Sequence, residues 1–254
     1  MNVDRSFFDC NCMIGKRADR REGEPWSLDQ LRADMQAHGI AGALVVHAWS
    51  RDYDPAAGNR EIIGAIGNEP GLHPCWAILP PGSGELSAPD RFVKEMLDNQ
   101  VLAAIAFPHV HNYSLSSWSM SSLLAALESR RIPLLLHYEQ TTWEEVDRLC
   151  STYLYLPVIV TDLSYRHLRN LLPLWEKHRN LFVDLSWFSI HDGLSYLFEK
   201  DLVGQVLFGT NYPRYAPGAA ITMVTYANIP ESVRHLVAGG TLRGIINRIR
   251  RDAR

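Results

Sequence analysis

Two residue types that trade protons stand at matching places in consecutive segments. His137 ends the apolar run Ile132-Pro133-Leu134-Leu135-Leu136-His137, and Asp162 ends Leu156-Pro157-Val158-Ile159-Val160-Thr161-Asp162. If those runs are neighbouring strands, the imidazole and the carboxylate meet at one end of the sheet. There His137 can act as general base toward a water, while Asp162 fixes its tautomer and stabilises the imidazolium. The competing reading is a buried ionic pair that only satisfies two polar groups in a narrow interior. Asn11 and Asn211 lie at the ends of other runs, near opposite ends of the chain. Their carboxamides suit a carbonyl oxygen or an oxyanion, or can simply bond each other and nearby backbone. His109 and His111 are spaced i, i+2 in Phe107-Pro108-His109-Val110-His111. An extended backbone would point both rings to one side, where they could join His137 in a metal site; a turn at Pro108 would leave them to solvent or a substrate carboxylate. Arg214, just after Asn211-Tyr212-Pro213, suits a carboxylate fork.

The elements that must position these groups follow from the apolar pattern. Short hydrophobic runs fall at 6–12, 40–47, 72–79, 101–107, 132–137, 157–162, 180–184 and 203–210. Several, such as Val158-Ile159-Val160, have no polar alternation and read as strands covered on both faces. Helical segments lie between them. Ser27-Leu28-Asp29-Gln30 and Thr142-Trp143-Glu144-Glu145 read as capping boxes, Asp54-Pro55 as an N-cap followed by proline, and Gly39 as a helix stop. Segments 163–178 and 191–200 supply further helices, the first kinked or divided at Pro173. Eight strands alternating with helices over 254 residues predict one (β/α)8 TIM-barrel domain, 1–254. Active sites of such barrels form at the C-terminal strand ends, which gathers Asn11, His47, His137, Asp162, Asp184 and Asn211 at one mouth.

Several of these segments resemble the amidohydrolase superfamily. Phe8-Asp9-Cys10-Asn11-Cys12-Met13-Ile14-Gly15 is similar to its opening Asp-x-His-x-His, and the run ending at His137 to its fifth strand. The run ending at Asp162 resembles its sixth strand, Asn180-Leu181-Phe182-Val183-Asp184-Leu185-Ser186 its seventh, and Val206-Leu207-Phe208-Gly209-Thr210-Asn211-Tyr212-Pro213 its eighth. The likeness is nearest to the amidohydrolase-related branch of small hydrolases, lactonases and decarboxylases. It implies an amidohydrolase-like barrel and, by position, metal ligands at Asn11, Met13, His137, Asp162 and Asn211. Only His137 keeps the family's ligand type, so the family zinc site is expected to be absent and no cofactor is expected.

The remaining residues bound the function. Asp and Glu outnumber Lys and Arg by 28 to 25, and the 46% hydrophobic content holds no run long enough to span a bilayer. Nucleic acid and membrane are therefore not expected partners, and a cytoplasmic location is, given four cysteines without a pairing pattern and a charged N-terminus. Strand alternation places Cys10 and Cys12 opposite Asn11 and Met13, against the helices. Lys16, Arg17, Arg20 and Arg21 read as a solvated charged loop, with a positive rim over the site as the alternative. Tyr138, Trp187 and Phe188 are candidate pocket walls. Arg243, Arg248, Arg250, Arg251 and Arg254 read as a helix end and a solvated tail. The expected function is hydrolysis of a small, possibly anionic lactone, ester or amide without metal, in a possible homodimer. The alternatives are an inactive barrel that binds a small molecule or a protein, and a metal-dependent hydrolase or decarboxylase rebuilt on His109, His111, His137 and Asp162.

Overall fold

Eight parallel strands, each paired with the next in chain order, form the centre of a computed structural model that describes residues 7–251. They are β1 (Phe7–Ile14), β2 (Ile40–His47), β3 (Leu72–Ile78), β4 (Ala103–Ala106), β5 (Leu134–His137), β6 (Val158–Thr161), β7 (Leu181–Asp184) and β8 (Val206–Leu207). Ser6 of the run 6–12, the charged N-terminal residues and Arg254 lie outside the described residues. Leu134 to Leu136 and Val158 to Val160 are all buried, as strands walled by lumen and helices must be. Backbone bonds from Cys10 N to Phe208 O (3.0 Å) and Met13 N to Tyr212 O (2.8 Å) bring β1 against the end of the chain's last strand segment and nearly close the barrel. The run 203–210 is strand for only two residues. Val203–Gln205 is instead a 3-10 turn, where Gln205 Nε2 donates to His178 O and Leu181 O (2.8 and 2.7 Å).

The helix signals lie where their chemistry predicts. Ser27 and Thr142 each cap the amide of the residue three positions on, and Gln30 and Glu145 reach back. Gly39 ends helix Leu28–His38 in the left-handed conformation. Helix Leu168–Lys177 runs on undivided through Pro173.

One buried side chain replaces part of a strand ladder. The β2–β3 register stops at Val45 with Pro74, because proline has no N–H to continue it. Beyond that point Asn59, from helix Pro55–Ile66, donates to Ala77 O (2.9 Å) and accepts from Ala77 N (2.7 Å). Asn59→Leu strands both groups and is expected to cost about 2–4 kcal/mol in urea unfolding, against less than about 1 kcal/mol for an exposed control such as Asn99→Leu.

Strand β1 departs from simple alternation, and this corrects the expectation for Cys10. Asp9 pairs with Ala43 but Cys12 with Val45, so three steps of β1 span two of β2. The bulge puts Asp9 and Cys12 on one face, clustered with Thr210, whose Oγ1 donates to Asp9 Oδ2 at 2.6 Å. Cys10 turns into the barrel, its Sγ 3.0 Å from where a Cβ on Gly209 would stand. All four cysteines are unpaired and buried, and burial holds their thiols protonated.

Candidate active site

The strand ends converge on a cavity of about 130 Å³ lined by Asn11, Met13, Val46, His137, Thr161, Asp162 and Asn211. An apolar cavity of ~150 Å³ admits benzene, so this one has room for roughly one six-membered ring. Arg214 also lines it, so five of the seven predicted site residues meet there.

His109 and His111 do not. Residues 108–112 form a turn directly after β4, and the extended geometry that would have aligned the two rings is lost. His109 Nδ1 donates to Glu139 O (2.6 Å) and His111 Nε2 to Arg51 O (2.9 Å), so the two imidazoles fasten neighbouring loops. His47 is likewise beside the site rather than in it, packed under Gly15, where any Cβ would approach its Nε2 to 2.7 Å.

The expected pair forms. His137 Nε2 donates to Asp162 Oδ2 at 2.7 Å, which fixes the neutral ring's proton on that nitrogen. The free lone pair is then on Nδ1, and it faces the Glu139 amide at 3.3 Å. Asp162 Oδ1, in contrast, is buried and finds no hydrogen-bond partner among the described residues. Within the pair, the atom without a partner among the described residues belongs to the carboxylate, and the ring is held at both nitrogens.

Asp184, at the end of β7, organises this corner. Its Oδ1 accepts from the Asp162 amide (2.9 Å) and Ser186 Oγ (3.0 Å), and its Oδ2 accepts from Asn11 Nδ2 (3.2 Å). The Asp162 backbone is held in the left-handed region at φ +63°. Complete burial pushes the Asp184 carboxyl up to about 7. Gly209 makes room, since a Cβ there would come within 2.6 Å of Asp184 Oδ2. Gly209→Ala is therefore expected to lower both the melting temperature and any activity, whereas Gly204→Ala, with open space around it, lowers neither.

The two carboxamides differ. Asn11 donates from Nδ2 to Asp184 Oδ2, so its amino end is turned toward Asp184 and only its second Nδ2 hydrogen is left for the expected oxyanion role. Asn211, also left-handed at φ +52°, has no side-chain hydrogen bond among the described residues and remains free to donate. Tyr215 lines the same wall, and burial pushes its phenol up to about 12, so it too is a donor at neutral pH. Trp187 forms a wall with Tyr215, their ring centroids 5.7 Å apart. The other aromatic candidates pack elsewhere, Phe188 on Trp175 and Tyr138 on Trp143 and His167.

Arg17, Arg51 and Arg214 line the outer part of the cavity around Asp19. Arg17 belongs to the loop read as solvated, yet its side chain is only 9% exposed. Arg51, Tyr215, Asp19 and the role of Asp184 were missed from sequence. Arg51 stands four residues past the end of β2, and that nearness to a strand end was the available signal.

The sequence matches no protein-family profile and no curated protein. Solved structures do match in shape. One is 5-carboxyvanillate decarboxylase from Sphingomonas paucimobilis, at 14% identity and TM-score 0.75 over 96% of this chain and 99% of that one. A second is named a probable 2-pyrone-4,6-dicarboxylic acid hydrolase, from Acinetobacter baumannii with citric acid bound, at 9% identity and TM-score 0.71 over 95% and 99%. A third is an uncharacterized TIM-barrel protein from Bordetella bronchiseptica, at 15% identity and TM-score 0.72 over 95% and 98%. The fold that these structures share with the chain is a (β/α)8 TIM barrel.

The superfamily that the sequence resembles holds a metal at the strand ends, and the positions that correspond to its ligands are occupied here by Asn11, Met13, His137, Asp162 and Asn211. Among the described residues no three His, Cys, Asp or Glu side chains are grouped to hold a metal ion. His137 and Asp162 hold each other, Asn11 is turned to Asp184, and Met13 offers a thioether better suited to softer ions. Zinc in a catalytic site takes three ligands of the His, Asp, Glu or Cys type. The rebuilt site on His109 and His111 fails with their displacement. No described helix is long and apolar enough to cross a membrane.

Proposed function

We propose that this chain is a metal-independent hydrolase of a small lactone, ester or amide carrying an anionic group. The observation that carries the reading is Asp162, a cavity-lining residue with one oxygen fixed by His137 and the other without a partner among the described residues. Such a carboxylate can take a proton from an attacking water. In the proposed reaction, water adds to the carbonyl carbon as its proton passes to Asp162 Oδ1. Asn211 Nδ2 and the Tyr215 hydroxyl donate to the developing oxyanion, and the protonated carboxyl then returns its proton to the leaving oxygen or nitrogen. His137 keeps Oδ2 fixed throughout, and Arg214 holds the anionic substituent.

The shape relatives support this reading through their printed activities, which concern small carboxylic acids. The test is turnover of a panel of lactones, aryl esters and anilides, each with and without a carboxylate, before and after dialysis against EDTA. Turnover of carboxylated members, unchanged by EDTA, is expected. Loss of turnover with EDTA, regained on adding zinc or manganese, overturns the metal-free mechanism. Thermal stabilisation by panel members without any product makes the chain a binding protein instead.

A further inference from the structure

We infer that Asp19 is an internal carboxylate that occupies the substrate's anion site, and that substrate enters by exchanging its own carboxylate for it. The inference rests on the reading above that this cavity takes an anionic molecule, and it names the anion.

Three guanidinium groups meet on one side chain. Arg17 forks onto Asp19 through Nε and Nη2 (3.1 and 3.3 Å), Arg214 Nη1 lies 3.3 Å from Oδ2, and Arg51 Nη1 lies 3.7 Å from Oδ1. Together they hold the Asp19 carboxyl below the usual carboxylate range. The arginines come from three separate places: the loops after β1 and β8 and the short helix Trp49–Asp52 after β2. Arg51 is fixed independently of Asp19: it also binds Asp52, and His111 holds its carbonyl. Bringing three cations together is unfavourable unless an anion joins them, and exposed ion pairs contribute little to stability. A planar fork aimed at a carboxylate is a recognition geometry.

Asp19 is suited to leave. Its side chain is 43% exposed, so it can turn into water at small cost. The surrounding backbone is meanwhile tied down, Gly15 N to Trp26 O (2.7 Å) and Ala18 N to Asp52 Oδ2 (2.8 Å). The exchange is therefore a side-chain rotation over a backbone that stays in place, with the entering carboxylate taking up the guanidinium contacts that Asp19 gives up. A carboxylate seated there would have the rest of its molecule in the roughly one-ring space in front of Asp162. The substrate class is thus a small monocyclic or similarly short carbonyl compound bearing a carboxylate. Asp19 sets selectivity by requiring any entrant to match its charge.

Benzoate is a probe of the right size that cannot be hydrolysed, with benzamide as its neutral counterpart and inorganic phosphate as the other anion. Titration calorimetry at low ionic strength is expected to show benzoate binding to wild type and benzamide failing to bind. Removing the internal competitor with Asp19→Ala should tighten benzoate by about tenfold, if the arginines are free in roughly a tenth of wild-type molecules. Arg51→Met should weaken benzoate by about tenfold or more through loss of one charged contact. Asp19→Asn serves as a second variant if Asp19→Ala is poorly folded, and circular dichroism checks both. Benzoate affinity unchanged or weakened in both Asp19 variants overturns the inference, as does benzamide binding as tightly as benzoate. Tighter binding of phosphate than benzoate in Asp19→Ala overturns the carboxylate assignment. Because no turnover is measured, tightened benzoate binding by a protein that hydrolyses nothing would sustain this inference while refuting the proposed hydrolysis.

Discussion

Asp162→Asn is expected to lower turnover of a carboxylated ester by about 10³-fold, within the range general base catalysis supplies, while leaving KM nearly unchanged. The amide keeps the shape and can still accept from His137 Nε2 through its oxygen, so binding survives. It cannot accept the proton from water at the position of Oδ1. His137→Gln should cost less, about 10–100-fold, because it removes the group that orients the carboxylate and leaves the proton acceptor in place. Its signature should be a fall in kcat with little change in KM, since the carboxylate loses the partner that fixes Oδ2. These expectations separate Asp162 from a histidine base. If His137 were the base, His137→Ala would be the more damaging change, and added imidazole would restore activity with a rate that follows the imidazole free-base fraction. Imidazole rescue of His137→Ala together with mild loss in Asp162→Asn would assign the proton to the ring.

The second large effect concerns stability and pH. Burial raises Asp184 to about 7 and Asp9 to about 6, both from the ordinary 3.8. The unfolded chain releases these protons near pH 4, whereas the folded chain keeps them until pH 6 to 7. Between those limits the folded state binds more protons at these two groups, so their contribution to stability falls as pH rises, against the opposite contribution of the histidines whose burial lowers them, His47, His73, His111 and His167. The favourable contribution is complete in acid below the unfolded value and is lost as pH passes through about 6 and then about 7. At about 1.4 kcal/mol per pKa unit, Asp184 alone accounts for a few kcal/mol between about pH 5 and about pH 8. Differential scanning calorimetry should show the melting temperature falling across that range, and Asp184→Asn should flatten the fall and stabilise the protein at pH 8. The amide preserves the acceptor for the Asp162 amide and Ser186, and Asn11 meets it by reversing its own carboxamide. A melting-temperature difference between Asp184→Asn and wild type that does not grow in the variant's favour as pH rises over this interval would refute the assignment.

The local code of the chain determined its elements. Uninterrupted apolar runs could only be strands covered on both faces, and β2 and the strand ends at His137 and Asp184 lie where those runs stop. Ser27, Thr142, Asp54 and Gly39 fixed helix ends because each satisfies backbone groups within a few residues of itself. Repeating strand and helix over this length led to the barrel, and the barrel placed His137 beside Asp162 through the pairing of β5 with β6. What the sequence left open depends on contacts between distant segments or on backbone irregularity. One extra residue between Asp9 and Cys12 reversed the side of Cys10, because a bulge breaks the period of two on which face assignment rests. A turn after Phe107 carried His109 and His111 away from the cavity, and spacing alone carries no information about where a strand ends. That both nitrogens of His137 are engaged was decided by Asp162 and the Glu139 amide, and the direction of Asn11 by Asp184 at the end of β7. Arg17, Arg51 and Arg214 lie up to 197 positions apart, the difference between 214 and 17. Nothing local makes them neighbours. Only closure of the barrel brings the loops after β1, β2 and β8 to one rim, and with them the charges that distinguish this site from a solvated loop.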